Sequence, residues 1–133
     1  MKKKGCSRPD LVSIRSTVAI KTFFNIAALW GFNDKERCLL LGVSVKRLDE
    51  LASVKCPPPS LEQIIRVSHM LGIVRSLRFL PSKQARLGWM KRPNTKFGRK
   101  SALEYILDGA SKKPNEVTER LVRVRRYLEA QLH

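Results

Sequence analysis

Little in this sequence of 133 residues can hold a metal ion or a disulfide framework. Its three cysteines, Cys6, Cys38 and Cys56, are odd in number, far apart and without a CxxC pair. Histidine is confined to His69 and His133, neither in a recognisable motif, and a nucleophile without a base in reach is a poor catalyst. There is no glycine-rich phosphate loop, no HExxH and no GxSxG, so no enzymatic activity and no cofactor are expected. The nine aromatic residues are too scattered to make a stacking platform for single-stranded nucleic acid. The richest apolar stretch, Thr17 to Phe32, is interrupted by Lys21 and Asn25 and falls short of the roughly 18 apolar residues of a spanning helix. The start, Met1-Lys2-Lys3-Lys4, is followed by Gly5-Cys6-Ser7-Arg8-Pro9-Asp10 where a signal peptide needs an apolar run, so a cytoplasmic protein with no membrane partner is expected.

Acidic side chains are also scarce. Eleven Asp and Glu stand against 27 Lys and Arg, a net charge of +16 with a sequence pI near 10.5. Such a chain favours polyanionic partners, nucleic acid first. The surplus is uneven: residues 75 to 113 carry eleven basic and two acidic side chains. With 43% hydrophobic and 29% charged residues the composition is that of a folding chain.

Apolar residues recur at spacings of three and four, and no period-two run is bounded by hairpin turns, so the fold is expected to be all-α with five or six helices. A first helix is expected over Ser13 to Gly31, with Ile14, Val18, Phe23, Ile26, Ala27 and Trp30 as its buried stripe. Asn33-Asp34-Lys35-Glu36 opens a short helix that ends before Gly42, and Ser44 caps the next, which carries Val45, Leu48 and Leu51 to about Ser53. Cys56-Pro57-Pro58-Pro59 cannot be helical and is the expected domain boundary. Beyond it Ser60 and Gln63 restart a helix expected to reach Leu80, and a shorter one runs from Ser82 to Met90. Ser101 and Glu104 form another capping box, with Gly109 as a stop signal. A last helix from near Pro114 has the stripe Val117, Leu121, Val124, Leu128 and Leu132.

Asp34 to Ser53 has the form of a helix-turn-helix, with Gly42 at the turn and Cys38 where the two helices approach. In a DNA-binding version the exposed N-terminal residues of the second helix, Ser44, Lys46, Arg47 and Glu50, face base edges and phosphates. Asp49 and Glu50 oppose a phosphate backbone, and an ordinary αα corner with no DNA contact is the lesser alternative for the pattern.

The segment from Trp89 through Lys91-Arg92-Pro93-Asn94-Thr95-Lys96-Phe97-Gly98-Arg99-Lys100-Ser101 to Gly109 resembles the toxin-binding domain of the Xre/MbcA/ParS-type antitoxins. The shared features are a tryptophan, a Pro-Asn pair, an aromatic residue with glycine, a serine that starts a helix and a closing glycine. Phe23-Phe24-Asn25-Ile26 through Trp30-Gly31-Phe32, with Leu40-Leu41-Gly42-Val43-Ser44, resembles the N-terminal helix-turn-helix of the same family, so the likeness covers roughly residues 20 to 130. Ala102 stands where the family has proline, and Arg99 where it often has a second glycine.

The resemblance implies the antitoxin of a type II toxin–antitoxin pair, not itself an enzyme. It would bind a RES-domain toxin that consumes NAD or ADP-ribosylates, occlude its active site, and repress its own operon as a homodimer on operator DNA. It divides the chain into a basic tail (1–12), a helix-turn-helix domain (13–56), a proline-rich linker (57–60) and a toxin-binding domain (61–133). The implied toxin contacts are Lys91, Arg92, Asn94, Lys96, Phe97, Arg99 and Lys100. The implied frame is Gly42, Trp89, Pro93, Gly98, Ser101 and Gly109. Two other readings stay open: a basic protein that binds nucleic acid without sequence preference, and a toxin-binding protein that does not bind DNA.

Overall fold

A computed structural model describes residues 11–53 and 58–132, with the side chains of 11–15 and 132 left aside. Residues 1–10 of the expected basic tail, Cys6 among them, and Cys56 and Pro57 lie outside the described residues, whereas Leu11 and Val12, expected in the tail, belong to the first helix. The described residues form seven α-helices: α1 (Leu11–Trp30), α2 (Asp34–Leu41), α3 (Val45–Ala52), α4 (Leu61–Leu77), α5 (Lys83–Gly88), α6 (Ala102–Asp108) and α7 (Glu116–Leu132). Single 3-10 turns cover Trp89–Lys91, Thr95–Phe97 and Gly109–Ser111. Among the described residues there is no β-strand, only one isolated antiparallel bridge, Pro93 to Ser101.

Helix starts follow from short-range chemistry. Asn33, Ser60 and Ser101 each accept from the backbone three residues on, while Glu36, Gln63 and Glu104 reach back to the cap nitrogen. Ser44 and Ser82 cap α3 and α5 by the first of these bonds alone. α1 and α2 stop at glycines in the left-handed region, Gly31 and Gly42 (φ +73° at each). There the following residue's N–H returns to a carbonyl five back, Phe32 to Ala27 and Val43 to Cys38.

One apolar expectation needs correction. Val18, expected inside, is 57% exposed, and Ile20 packs inward instead. α1 is apolar on most of its circumference, so its spacing alone does not choose the inner face. Ile14 lies outside the described side chains. Gly109, expected as a stop signal, does follow the last residue of α6, but with φ −65° it is not a left-handed cap. A Cβ there would meet Glu116 Cγ at 2.9 Å and the Glu116 backbone carbon at 3.2 Å, so the glycine is needed for the close approach of α7 to the end of α6.

The proline segment separates helices, not cores. One cluster takes Phe23 and Trp30 from α1, Leu40 and Leu41 from α2, Leu48 and Leu51 from α3, Met70 and Ile73 from α4, Ile106 from α6 and Leu121 and Val124 from α7. α4 is the central element, packed on α1 on one side and on α7 on the other. α4 and α7 run in the same direction, since Arg66 reaches Thr118 and, a turn further along, His69 meets Arg125. No helix among the described residues is long and apolar enough to cross a membrane.

Candidate partner-binding loop and helix-turn-helix

The loop between α5 and α6 is closed on itself. Asn94 N–H donates to the Lys100 carbonyl (3.1 Å), and the Asn94 carbonyl accepts from Phe97 and Arg99 (3.0 and 3.1 Å). Its side-chain oxygen accepts from the Lys96 N–H (2.9 Å). Gly98 and Arg99 both take positive φ, +69° and +71°. Arg99 therefore holds a conformation that glycine adopts without cost, at the position where the resembling family often has glycine.

Phe97 anchors this loop from below. It is buried, stacked on Tyr105 (5.1 Å between centroids) and edge-on to Trp89 (6.3 Å) and Tyr127 (5.7 Å). It is thus part of the interior and not an exposed partner contact, because four rings clustered away from water are worth more than one displayed. Lys91 is also committed internally: its ammonium donates to the Gly31 carbonyl (2.6 Å), pairs with Glu36 (3.6 Å) and lies over the Phe32 ring. Arg92, Lys96, Arg99 and Lys100 are exposed on the loop, as is Lys91 despite these contacts. Lys96 sits over the Tyr127 ring, and Lys100 pairs with Asp108. Pro93 is exposed, Asn94 half-buried and Ser101 buried.

Beside the loop opens a polar cavity of about 360 Å³ lined by Lys100, Asp108, Ser111, Lys112 and Arg120. Of these, sequence reading placed only Lys100 at a contact surface; three separate elements supply the cations, and no local spacing joins them. Arg120 is held by Glu116 (3.0 Å), by the Tyr105 carbonyl (2.7 Å) and by the Tyr105 ring beneath it. Its hydrogen bond, with the charges of Arg123 and Lys113, keeps the Glu116 carboxyl below the ordinary glutamate range.

α2 and α3 are joined through Gly42, Val43 and Ser44, with Leu48 and Leu51 inward. The four residues proposed to face DNA are not alike. Ser44 spends its hydroxyl on the cap, and Arg47 pairs with Glu50 (3.4 Å) and donates to the Pro58 carbonyl (3.3 Å). Lys46 is exposed on the outer face. Burial first, then Asp34 and Asp49, push the Cys38 thiol above its ordinary value, against any reactive thiolate there.

A residue that sequence reading passed over joins these parts. Arg66, 6% exposed, donates to the Leu40 carbonyl (2.9 Å), to Thr118 Oγ1 (2.9 Å) and to the Pro114 carbonyl (3.2 Å). Gln63 donates to the Leu41 carbonyl (3.3 Å). The signal was an arginine inside the apolar run Ile64-Ile65-Arg66-Val67, four residues after Glu62.

The structure thus defines an all-helical, strongly basic protein with a rigid cationic loop. No family model matches the chain, and no solved structure matches it. It is 33% identical over 129 residues to the uncharacterized protein y4oB of Sinorhizobium fredii, across 94% of this chain and 92% of that one, and it belongs to the same family.

Proposed function

We propose that this chain is the antitoxin of a type II toxin–antitoxin pair, which binds a RES-domain, NAD-consuming or ADP-ribosylating toxin and occludes its active site. The observation that carries the reading is the Pro93–Ser101 loop. Its hydrogen bonds and the Phe97 anchor fix a backbone on which Arg92, Lys96, Arg99 and Lys100 stand exposed. A preorganised cationic surface of that kind suits an acidic partner surface, since little ordering is needed on binding. Operon repression by a homodimer on operator DNA belongs to the same proposal and rests on the α2–α3 pair and on Lys46. The Arg47–Glu50 pairing favours a second reading, toxin binding without DNA binding.

Co-expression tests the proposal. The neighbouring open reading frame should arrest growth when induced alone, the full chain should restore it, and the charge-reversed R99E/K100E variant should restore it poorly. A toxic neighbour unrelieved by the full chain, or full rescue by R99E/K100E, sinks the assignment of this loop.

A further inference from the structure

Between Glu62 and Glu104 lie 41 residues without a carboxylate side chain, and ten of them are Lys or Arg. Several of these cations have internal work: Arg66 holds three acceptors, Arg86 donates to the Leu80 carbonyl (2.9 Å), and Lys91 and Lys100 are paired. At the corner between α4 and α5 the situation differs. Arg75, Arg78 and Lys83 are exposed and have no anionic partner among the described residues. Nor does capping the end of α4 occupy them. The carbonyls of Arg75, Ser76 and Leu77 accept from Arg78, Phe79 and Leu80, and Arg86 covers the Leu80 carbonyl.

Phe79 stands among these cations. It is 60% exposed, whereas every other aromatic ring of the chain is buried or half-buried. Arg75 lies in the last turn of α4, and Arg78 and Phe79 follow its end in a turn whose N–H groups bond three residues back, so the three exposed side chains leave the chain within four residues of one another. Among the described residues there is no platform of rings on which successive bases could stack, but two arginines, a lysine and one exposed ring can hold a strand chiefly by its phosphates, with the single ring against one base. A membrane surface is the poorer match, because interfacial helices need an apolar stripe and here Leu77 is buried and Leu80 half-buried.

We propose that the α4–α5 corner binds the phosphodiester backbone of a single nucleic-acid strand through Arg75, Arg78 and Lys83, with Phe79 stacked on an unpaired base. The site is separate from the Pro93–Ser101 loop and does not depend on the antitoxin reading.

Fluorescence anisotropy with labelled dT12, across a salt series, tests it on the full chain. R75E/R78E/K83E should lose at least tenfold in affinity, and the slope of log K against log salt should fall by about 2, at roughly 0.7 for each phosphate no longer neutralised. R92E/R99E/K100E changes the net charge equally but at the loop, and should lose less than threefold. F79A should weaken dT12 binding about tenfold and leave a 12-base-pair duplex nearly unaffected. Circular dichroism checks folding; if the glutamate triple is unfolded, R75Q/R78Q/K83Q replaces it with the same direction of effect. Equal losses from corner and loop would mean net charge alone, and unchanged dT12 binding by the corner triple would mean no site; either overturns the proposal. So does binding to anionic phosphatidylglycerol vesicles that the corner triple abolishes while dT12 binding survives.

Discussion

The Arg66 guanidinium donates through Nη1 to the carbonyl of Leu40, across 26 residues of sequence. The C-terminal end of α2, beside the candidate recognition helix, is thereby fastened to the central helix of the fold. The same side chain fastens Pro114 and Thr118 at the start of α7. Burial lowers its pKa, and Glu62, at 3.9 Å, partly restores the charged form.

Replacing Arg66 with methionine leaves two carbonyls and one hydroxyl without that donor. The expected loss of stability is about 2–4 kcal/mol, seen as a lower urea midpoint. Arg66→Lys should recover only part of it, because an ammonium cannot reproduce the fork. A methionine variant within about 0.5 kcal/mol of wild type would show that the network is not a stabilising one.

Arg99 makes the opposite prediction. At φ +71° it carries a conformational cost that glycine escapes, so Arg99→Gly should raise stability by about 1 kcal/mol. Thermal melting reads the sign, and a destabilised variant would mean that the Arg99 side chain holds the loop in some other way.

Two glycines with the same helical φ sign should respond differently to alanine. At Gly109 the added methyl meets Glu116 partly at the backbone, and a loss of about 1–3 kcal/mol is expected. At Gly72 it meets the Arg125 side chain, which can swing out, while alanine gains about 1 kcal/mol of helix propensity. That variant should fall within about 1 kcal/mol of wild type; chemical denaturation of the pair distinguishes them.

His69 sets an acid limit. Burial, then Arg125 and Arg126, lower its pKa, so the unfolded chain takes up the proton first as pH falls. Stability should be unaffected by this group above about pH 6.5 and should decline below it, until the folded-state value is passed. His69→Gln should flatten the decline that sets in below about pH 6.5, as measured by urea midpoints. An unaltered slope would assign the acid sensitivity elsewhere.

Lys46 is the clean test of DNA binding. Arg47→Ala breaks the bonds to Glu50 and Pro58 and perturbs α3 as well as any DNA contact. Lys46→Ala removes a charge from an exposed position, so operator affinity should fall severalfold with no change in melting temperature. Unchanged gel-shift affinity would remove α3 from the DNA surface.

The legible part of this protein is local. Asn33, Ser44, Ser60 and Ser101 start helices where their sequence context placed them, because each cap is completed within three residues. The inner stripe of α7, Val117, Leu121, Val124 and Leu128, was readable for a similar reason, since a single period carries it. The candidate site was legible only as a run of basic residues. Which of them remain outward is decided by partners far away in sequence: Lys91 turns to Gly31 and Glu36, and Phe97 to Tyr105 and Tyr127. The proline segment read as a boundary, yet α1 packs on α4 across it, because neither half has enough apolar surface facing only itself. Sequence by itself determined an all-helical, cationic chain and the points where its helices begin. Tertiary structure decided which cations are consumed in holding the helices together and which stay free to meet a partner, because long-range packing, not spacing, sets what each side chain touches.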